Sequence, residues 1–143
     1  FLALLEIRAQ RYFLNNIRGN KMTLGNLFKA QAIFIWLYAV MFWVAPQMAA
    51  QGPGWTLTAN MVSFGQVLAV PLLALGLFAW MAPSWVGDNI NKVGMIFGVY
   101  VNLALAAVQV FHISTGAANF DPMGMIPALL LAALFFWKTR ATG

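Results

Sequence analysis

The hydrophobic positions of the chain gather into four long blocks, which are separated by short polar stretches containing glycine and proline. These blocks cover residues 27–50, 61–82, 93–114 and 122–137. A helix of about 20 predominantly apolar residues has the length needed to cross the roughly 30 Å hydrocarbon core of a bilayer. The pattern therefore predicts four transmembrane helices that form one membrane domain, residues 24–140.

The connections between the blocks carry signals that end one helix and start the next. The first connection has glycine, proline and glycine at residues 52–54 and ends on Asn60, a residue favourable at a helix N-cap. The third connection ends with Asp121 as the expected N-cap and Pro122 at the first helical position. Because short connections make successive helices antiparallel, we predict an all-α fold, a four-helix transmembrane bundle with antiparallel neighbours.

A basic segment, residues 1–23, precedes the first block. Its apolar residues can share one helical face while its arginines lie largely elsewhere, as in a helix that lies in the membrane interface. This pattern favours an N-terminal amphipathic helix. The alternative interpretation is that the native protein starts at Met22 and that residues 1–21 do not belong to it. Both interpretations stay open on the sequence alone.

Composition and charge agree with a membrane location and give it an orientation. Of all residues, 62% are hydrophobic and 8% are charged, whereas soluble domains average about 45–50% and 25%. All lysines and arginines precede the first block or lie near its start, in the second connection, or after the fourth block. Since such residues collect on the cytoplasmic side, we expect an integral membrane protein with both termini cytoplasmic. The net charge of +5 then indicates contact with the lipid bilayer and its anionic headgroups, and no nucleic-acid partner.

The third block carries three polar side chains, Asn102, Gln109 and His112. Steps of three and four residues place them on one helical face together with Gly94 and Gly98. The two glycines form a pattern of small residues four apart, which lets another helix approach closely. We therefore expect this face to pack against neighbouring helices.

The second block contains Pro71, which has no N–H and so frees the carbonyl of Val67 one turn earlier. Asn102 is predicted at a similar depth, and we expect its amide to bond that carbonyl and support a kink. A small polar pocket is expected to open toward the outer face, and its predicted lining residues are Ser63, Gln66, Gln109 and His112.

The residue types and motifs that the sequence lacks limit the functional classes to which the protein can belong. There is no cysteine, and the three acidic residues, Glu6, Asp88 and Asp121, all lie outside the blocks. A cation-coupled transporter usually needs an ionisable group within the membrane. Signatures of serine hydrolases, P-loops, dinucleotide sites and zinc hydrolases are missing as well. We therefore predict no catalytic residue, no metal site and no cofactor.

Four sequence pieces resemble those of a known group of proteins. The first block closes on "FWVAP", the second contains "VPLLALGLFAWMA", the third contains "GMIFGVYVN" and the fourth ends "ALLLAALFFWKTR". In this order they resemble small bacterial four-transmembrane-helix proteins, DoxX-like or uncharacterised. The resemblance implies a protein of the bacterial inner membrane. It also implies a link to quinone-dependent redox complexes, in which DoxX-like members act as accessory subunits.

Three functional classes follow from these observations. The first is a non-enzymatic accessory, structural or sensing subunit that uses the glycine face for a homo-oligomer or a membrane protein partner. The second is a transporter or channel for a neutral or weakly polar solute, which would move through the layer formed by Gln66, Gln109 and His112. The third is a redox subunit that holds a quinone or haem near His112. Absent catalytic groups and abundant packing surface favour the first class.

Overall fold

A computed structural model describes residues 22–141, and its long elements in this range are all helical. The helices are, in chain order, α1 (Leu24–Val44), α2 (Pro46–Gln51), α3 (Ala59–Trp85), α4 (Ile90–Val93), α5 (Val101–Ser114) and α6 (Pro122–Ala141). A 3-10 turn precedes α4, and a π-helical segment, Gly94–Tyr100, joins α4 to α5. The expected N-terminal amphipathic segment lies outside the described residues.

Four helical stretches are long and apolar enough to cross a membrane: α1, α3, the continuous stretch Gly87–Ser114 and α6. We call them the first, second, third and fourth spans. The predicted all-α four-helix transmembrane bundle is thus confirmed for the part of the chain that the structure describes. The protein is a small integral membrane protein.

The first span ends earlier than its hydrophobic block does. Pro46 has no backbone N–H, and it disfavours helical geometry at the residue before it. Ala45 accordingly has φ −139° and ψ 58°, and α1 ends at Val44. Pro46 then becomes the first residue of α2, which carries the chain into the first connection.

Side-chain caps set where the second and fourth spans begin. The hydroxyl of Thr58 accepts a hydrogen bond from the Met61 N–H at 3.3 Å, so that α3 begins before Asn60. The expectation of an N-cap at Asn60 is therefore wrong. Asp121 does cap α6 as its sequence position indicates, because its Oδ1 accepts from the Met123 N–H at 3.1 Å.

The bundle has two chemically different ends. At the loop end, the first connection meets the third: Trp55 Nε1 donates to the Ala117 carbonyl at 3.1 Å, and the Asn119 N–H donates to the Pro53 carbonyl at 2.8 Å. The opposite, terminal end holds residue 22, the second connection and the end of α6. The lysines and arginines of the described part lie toward the terminal end: Lys29, Lys92, Lys138 and Arg140.

The core of the terminal half depends on glycines in the third span. Phe28 and Phe135 are completely buried, and their rings meet edge to face with centroids 5.1 Å apart. A Cβ on Gly98 would overlap the Phe135 ring, and one on Gly94 would lie 3.0 Å from the methyl group of Thr139. These two glycines therefore let α6 approach the third span closely.

The second span is peripheral. It packs chiefly against α1. A smaller share of its hydrophobic stretch is buried inside the bundle than is the case for the fourth span. Small residues face α1 here, and Trp36 of α1 donates from Nε1 to the Leu73 carbonyl at 3.1 Å. Most of the surface of α3 is therefore left for lipid or for another protein.

Candidate functional site

Two carboxamide side chains meet in the middle of the bundle. Asn102 and Gln31 are 0% and 2% exposed. Asn102 Nδ2 donates to Gln31 Oε1 at 2.7 Å, and Gln31 Nε2 donates in return to Asn102 Oδ1 at 3.3 Å. Because each amide supplies both a donor and an acceptor, the pair satisfies itself without water. It links α1 to the third span close to the membrane midplane.

Asn102 also closes a break in the helical hydrogen-bond pattern. In the π-helical segment the Val101 N–H donates to the carbonyl five residues earlier, that of Ile96. Where this pattern returns to α-helix, Asn102 Nδ2 donates to the Gly98 carbonyl at 2.8 Å. The residue thus stabilises the bundle at two points, within its own helix and across to α1.

These contacts correct the predicted role of Asn102 beside Pro71. The amide of Asn102 is engaged by Gln31 and Gly98, and the expected bond to the Val67 carbonyl is not formed. The physical reason is the position of α3, which packs chiefly against α1 and meets the third span through the Phe78–Phe97 ring contact. Pro71 is exposed on this peripheral helix.

A cavity of about 320 Å³ lies between the Gln31–Asn102 pair and the two connections of the loop end. Its volume is at the lower end of the range of roughly 300–1,000 Å³ found for small-molecule sites. Most of its wall is hydrophobic, and the apolar side chains include Phe34, Ile35, Phe42, Leu72, Leu105 and Val108. The cavity is therefore suited to the apolar body of a small molecule.

The four polar residues predicted for a pocket separate into two groups. Gln109 and His112 line this cavity, together with residues of α1, α6 and both connections. Ser63 and Gln66 do not line it, and both are exposed on α3. The structure thus brings together the polar residues of the third span but leaves those of the second span outside.

Three polar side chains converge beside Gly124 of α6. A Cβ on this glycine would lie 3.0 Å from Asp121 Oδ2, 3.1 Å from Gln109 Nε2 and 3.1 Å from Tyr38 Oη. Since all three atoms surround one point, no two of them are more than about 6 Å apart. The absence of a side chain at residue 124 keeps this space open and gives the cavity a polar corner.

Two atoms of the side chains that form this corner lack hydrogen-bond partners among the described residues. They are Tyr38 Oη and Gln109 Oε1, and both are buried from solvent. A buried polar atom without a partner costs about 1–3 kcal/mol. A bound molecule that supplies hydrogen bonds to these atoms would recover that free energy.

Asp121 has two separate roles at the cavity. Its Oδ1 caps α6, whereas its Oδ2 lies near Gln109 and Tyr38. It is the only acidic residue at the loop end of the described chain, and the described lysines and arginines lie toward the other end. The carboxylate is therefore a local negative charge at the opposite end of the bundle from the described lysines and arginines.

Sequence reasoning missed Gln31, Tyr38 and this second role of Asp121. A weak signal existed for Gln31, since it is a carboxamide within an otherwise apolar run. Tyr38 gave no such signal, because an aromatic residue in a membrane span is as compatible with a packing role as with a binding role. Within residues 22–141, no three His, Asp or Glu side chains come together as a metal site.

Comparisons with models of protein families, with curated proteins and with solved structures find no match to this chain. The fold therefore defines the class of protein, a small integral membrane protein with four spanning helices. The cavity at its loop end is the candidate functional site.

Proposed function

We propose that this protein is a non-enzymatic accessory or sensing subunit that binds a small amphipathic molecule in the loop-end cavity. The observation that carries this proposal is the pair of buried, unpartnered atoms, Tyr38 Oη and Gln109 Oε1, on two side chains that line the apolar cavity. Small-molecule sites commonly combine an apolar wall with a few polar groups that fix the orientation of the ligand.

The packing of side chains at the middle of the bundle favours binding of a small molecule over its conduction across the membrane. The Gln31–Asn102 pair lies at the inner limit of the cavity, and the buried rings of Phe28 and Phe135 fill the bundle beyond it. A continuous polar path would need further polar side chains on the terminal side of this pair. The packed aromatic core there supports a cavity that is closed at one end.

Charge distribution supports an orientation for the proposed binding protein. The basic residues of the terminal end favour a cytoplasmic location for that end, and the cavity then faces the outer side of the membrane. We propose the bacterial inner membrane, in keeping with the resemblance to DoxX-like proteins. In that setting the exposed surface of α3 is available for a larger membrane complex or for a second copy of the chain.

The proposal is tested with the protein in lipid nanodiscs and three small phenyl amphiphiles of similar size. These probes are 2-phenylethylamine, 2-phenylethanol and phenylacetate, and binding is measured by equilibrium dialysis against empty nanodiscs. Gly124→Ala places a methyl group in the polar corner and is expected to weaken binding at least about tenfold. Gly65→Ala is the matched control, because a Cβ there meets no atom within 4 Å.

Saturable binding of at least one probe, lost in Gly124→Ala and kept in Gly65→Ala, would support the proposed function. Equal uptake by empty and protein-containing nanodiscs for all three probes would overturn it. A second measurement addresses transport directly. Probe flux into proteoliposomes that exceeds flux into protein-free liposomes would replace the binding proposal with the transporter or channel alternative.

A further inference from the structure

The charges around the cavity bear on the headgroup of its ligand. We infer that the loop-end cavity selects a small amphiphile that carries a protonated amine, and that Asp121 binds the ammonium group. This inference rests on the proposed function and adds the chemical class of the ligand to it.

The carboxylate of Asp121 is fixed in a position that serves the cavity. Oδ1 accepts the Met123 N–H at 3.1 Å as the cap of α6, which holds the side chain in one orientation. Oδ2 then lies 3.0 Å from the position of a Cβ on Gly124, at the polar corner. One oxygen is thus used by the fold and the other remains for a ligand.

No lysine or arginine of the described residues compensates the charge of this carboxylate. Asp121 is partly buried and lines a mainly apolar cavity, and Lys29, Lys92, Lys138 and Arg140 lie toward the opposite end of the bundle. Bringing a carboxylate out of bulk water is costly unless an opposite charge or hydrogen bonds offset it. A cationic ligand offsets this cost, whereas an anionic ligand increases it.

A primary ammonium group has three N–H donors and no acceptor, and the side chains of the polar corner offer it acceptor oxygens. Asp121 Oδ2 and Tyr38 Oη are two oxygen atoms beside Gly124, and the Gln109 carboxamide, whose Nε2 also lies there, carries a third in Oε1. Tyr38 Oη and Gln109 Oε1 have no hydrogen-bond partner in the described chain. An alcohol supplies one donor and would leave at least one of these oxygens without a hydrogen bond.

The apolar wall next to this corner suits the remainder of such a ligand. Aromatic side chains of α1 and the first connection line the cavity: Phe34, Tyr38, Phe42 and Trp55. Aromatic faces attract cations within about 6 Å and also pack against apolar rings. The cavity therefore combines a negative corner with an aromatic wall, and both favour a cationic aromatic or alkyl amine.

The experiment compares 2-phenylethylamine with its neutral analogue, 2-phenylethanol, which has the same number of non-hydrogen atoms. Binding of each is measured by equilibrium dialysis in nanodiscs made of neutral lipid, for wild type, Asp121→Asn and Asp88→Asn. Asparagine is as good an N-cap as aspartate, so Asp121→Asn removes the charge but keeps the cap of α6. Asp88 is the matched control, an exposed acid in the second connection at the terminal end.

We expect wild type to bind the amine more tightly than the alcohol, and Asp121→Asn to weaken amine binding by about 10-fold to 100-fold, as the loss of a charge-assisted hydrogen bond implies. Alcohol binding should change by less than about threefold, and Asp88→Asn should leave both affinities unchanged. The inference fails, and the proposed function survives, if the alcohol binds as tightly as the amine or if Asp121→Asn leaves amine affinity unaltered. If neither amine, alcohol nor phenylacetate binds, the proposed function itself fails.

Discussion

Replacing Tyr38 with phenylalanine removes one buried oxygen atom from the polar corner of the cavity. The aromatic ring remains, together with its edge-to-face contacts to Phe34 and Phe42, whose ring centroids lie 5.2 Å and 6.1 Å away. Because Tyr38 Oη has no hydrogen-bond partner in the described chain, its removal relieves a desolvation cost of about 1–3 kcal/mol. We therefore expect the free energy of unfolding of the ligand-free protein to stay equal or to rise, by up to that amount.

The same substitution should have the opposite effect on ligand binding. An amine that uses Tyr38 Oη as an acceptor loses one hydrogen bond in Tyr38→Phe, which corresponds to a loss of affinity of about 5-fold to 10-fold. A protein that becomes more stable while its ligand affinity falls indicates a group kept for function at a cost in stability.

Unfolding is measured by titrating a denaturing detergent into mixed micelles and following tryptophan fluorescence and circular dichroism. Tyr100→Phe is the matched control, because the Tyr100 side chain is 59% exposed and its change should lie within about 0.5 kcal/mol. A decrease in stability of 1 kcal/mol or more in Tyr38→Phe, with Tyr100→Phe unchanged, would refute the reasoning. It would mean that Tyr38 Oη already makes a hydrogen bond.

The remaining predictions concern the midplane pair, the glycine packing and the histidine. Asn102→Leu and Gln31→Leu should each cost about 1–3 kcal/mol of unfolding free energy, since each leaves the partner amide unpaired, and the double variant should cost less than the sum; additive effects in a double-mutant cycle would contradict the pairing. Gly98→Leu should lower stability by at least about 3 kcal/mol by overlapping the Phe135 ring, whereas normal folding by circular dichroism and gel filtration would show that the helices are not in close contact there. His112→Ala should leave stability within about 0.5 kcal/mol, because the His112 side chain makes no hydrogen bond within residues 22–141. A large loss of stability in the same titration would contradict this.

The number of spans was predictable because the thickness of a bilayer imposes a length on each hydrophobic block. The N-cap at Asp121 was predictable as well, since capping depends on local sequence. The end of α1 at Val44 was less evident, because residues 45–50 are mostly apolar and continue the hydrophobic block. There Pro46 outweighs hydrophobicity in setting the helix boundary.

The location of the polar residues was predictable only within the third span. Gln109 and His112 are three residues apart on one helix, so helical geometry alone places them together. Ser63 and Gln66 were assigned to the same pocket by depth in the membrane, but depth does not reveal which way α3 is turned. Lipid and the interior of a membrane protein are equally apolar, and this removes the amphipathic signal that orients a helix in a soluble protein.

Gln31 was overlooked for a related reason. The first block was placed at residues 27–50, so that Gln31 fell near its start, where a polar residue can reach the headgroups. The helix in fact begins at Leu24, so that three more residues of it lie on the terminal side of Gln31. Its pairing with Asn102 depends on a contact between residues 71 positions apart, which sequence periodicity does not encode.

The wide turn of the π-helical segment, Gly94–Tyr100, has a consequence for the whole loop-end half of the third span. Such a turn accommodates about one more residue than an α-helical turn does, and one residue corresponds to about 100° of rotation. The segment therefore acts as a fixed angular offset between the two halves of one helix. Deleting a single residue within it would rotate Gln109 and His112 together toward lipid, while the packing of the terminal half stayed in place.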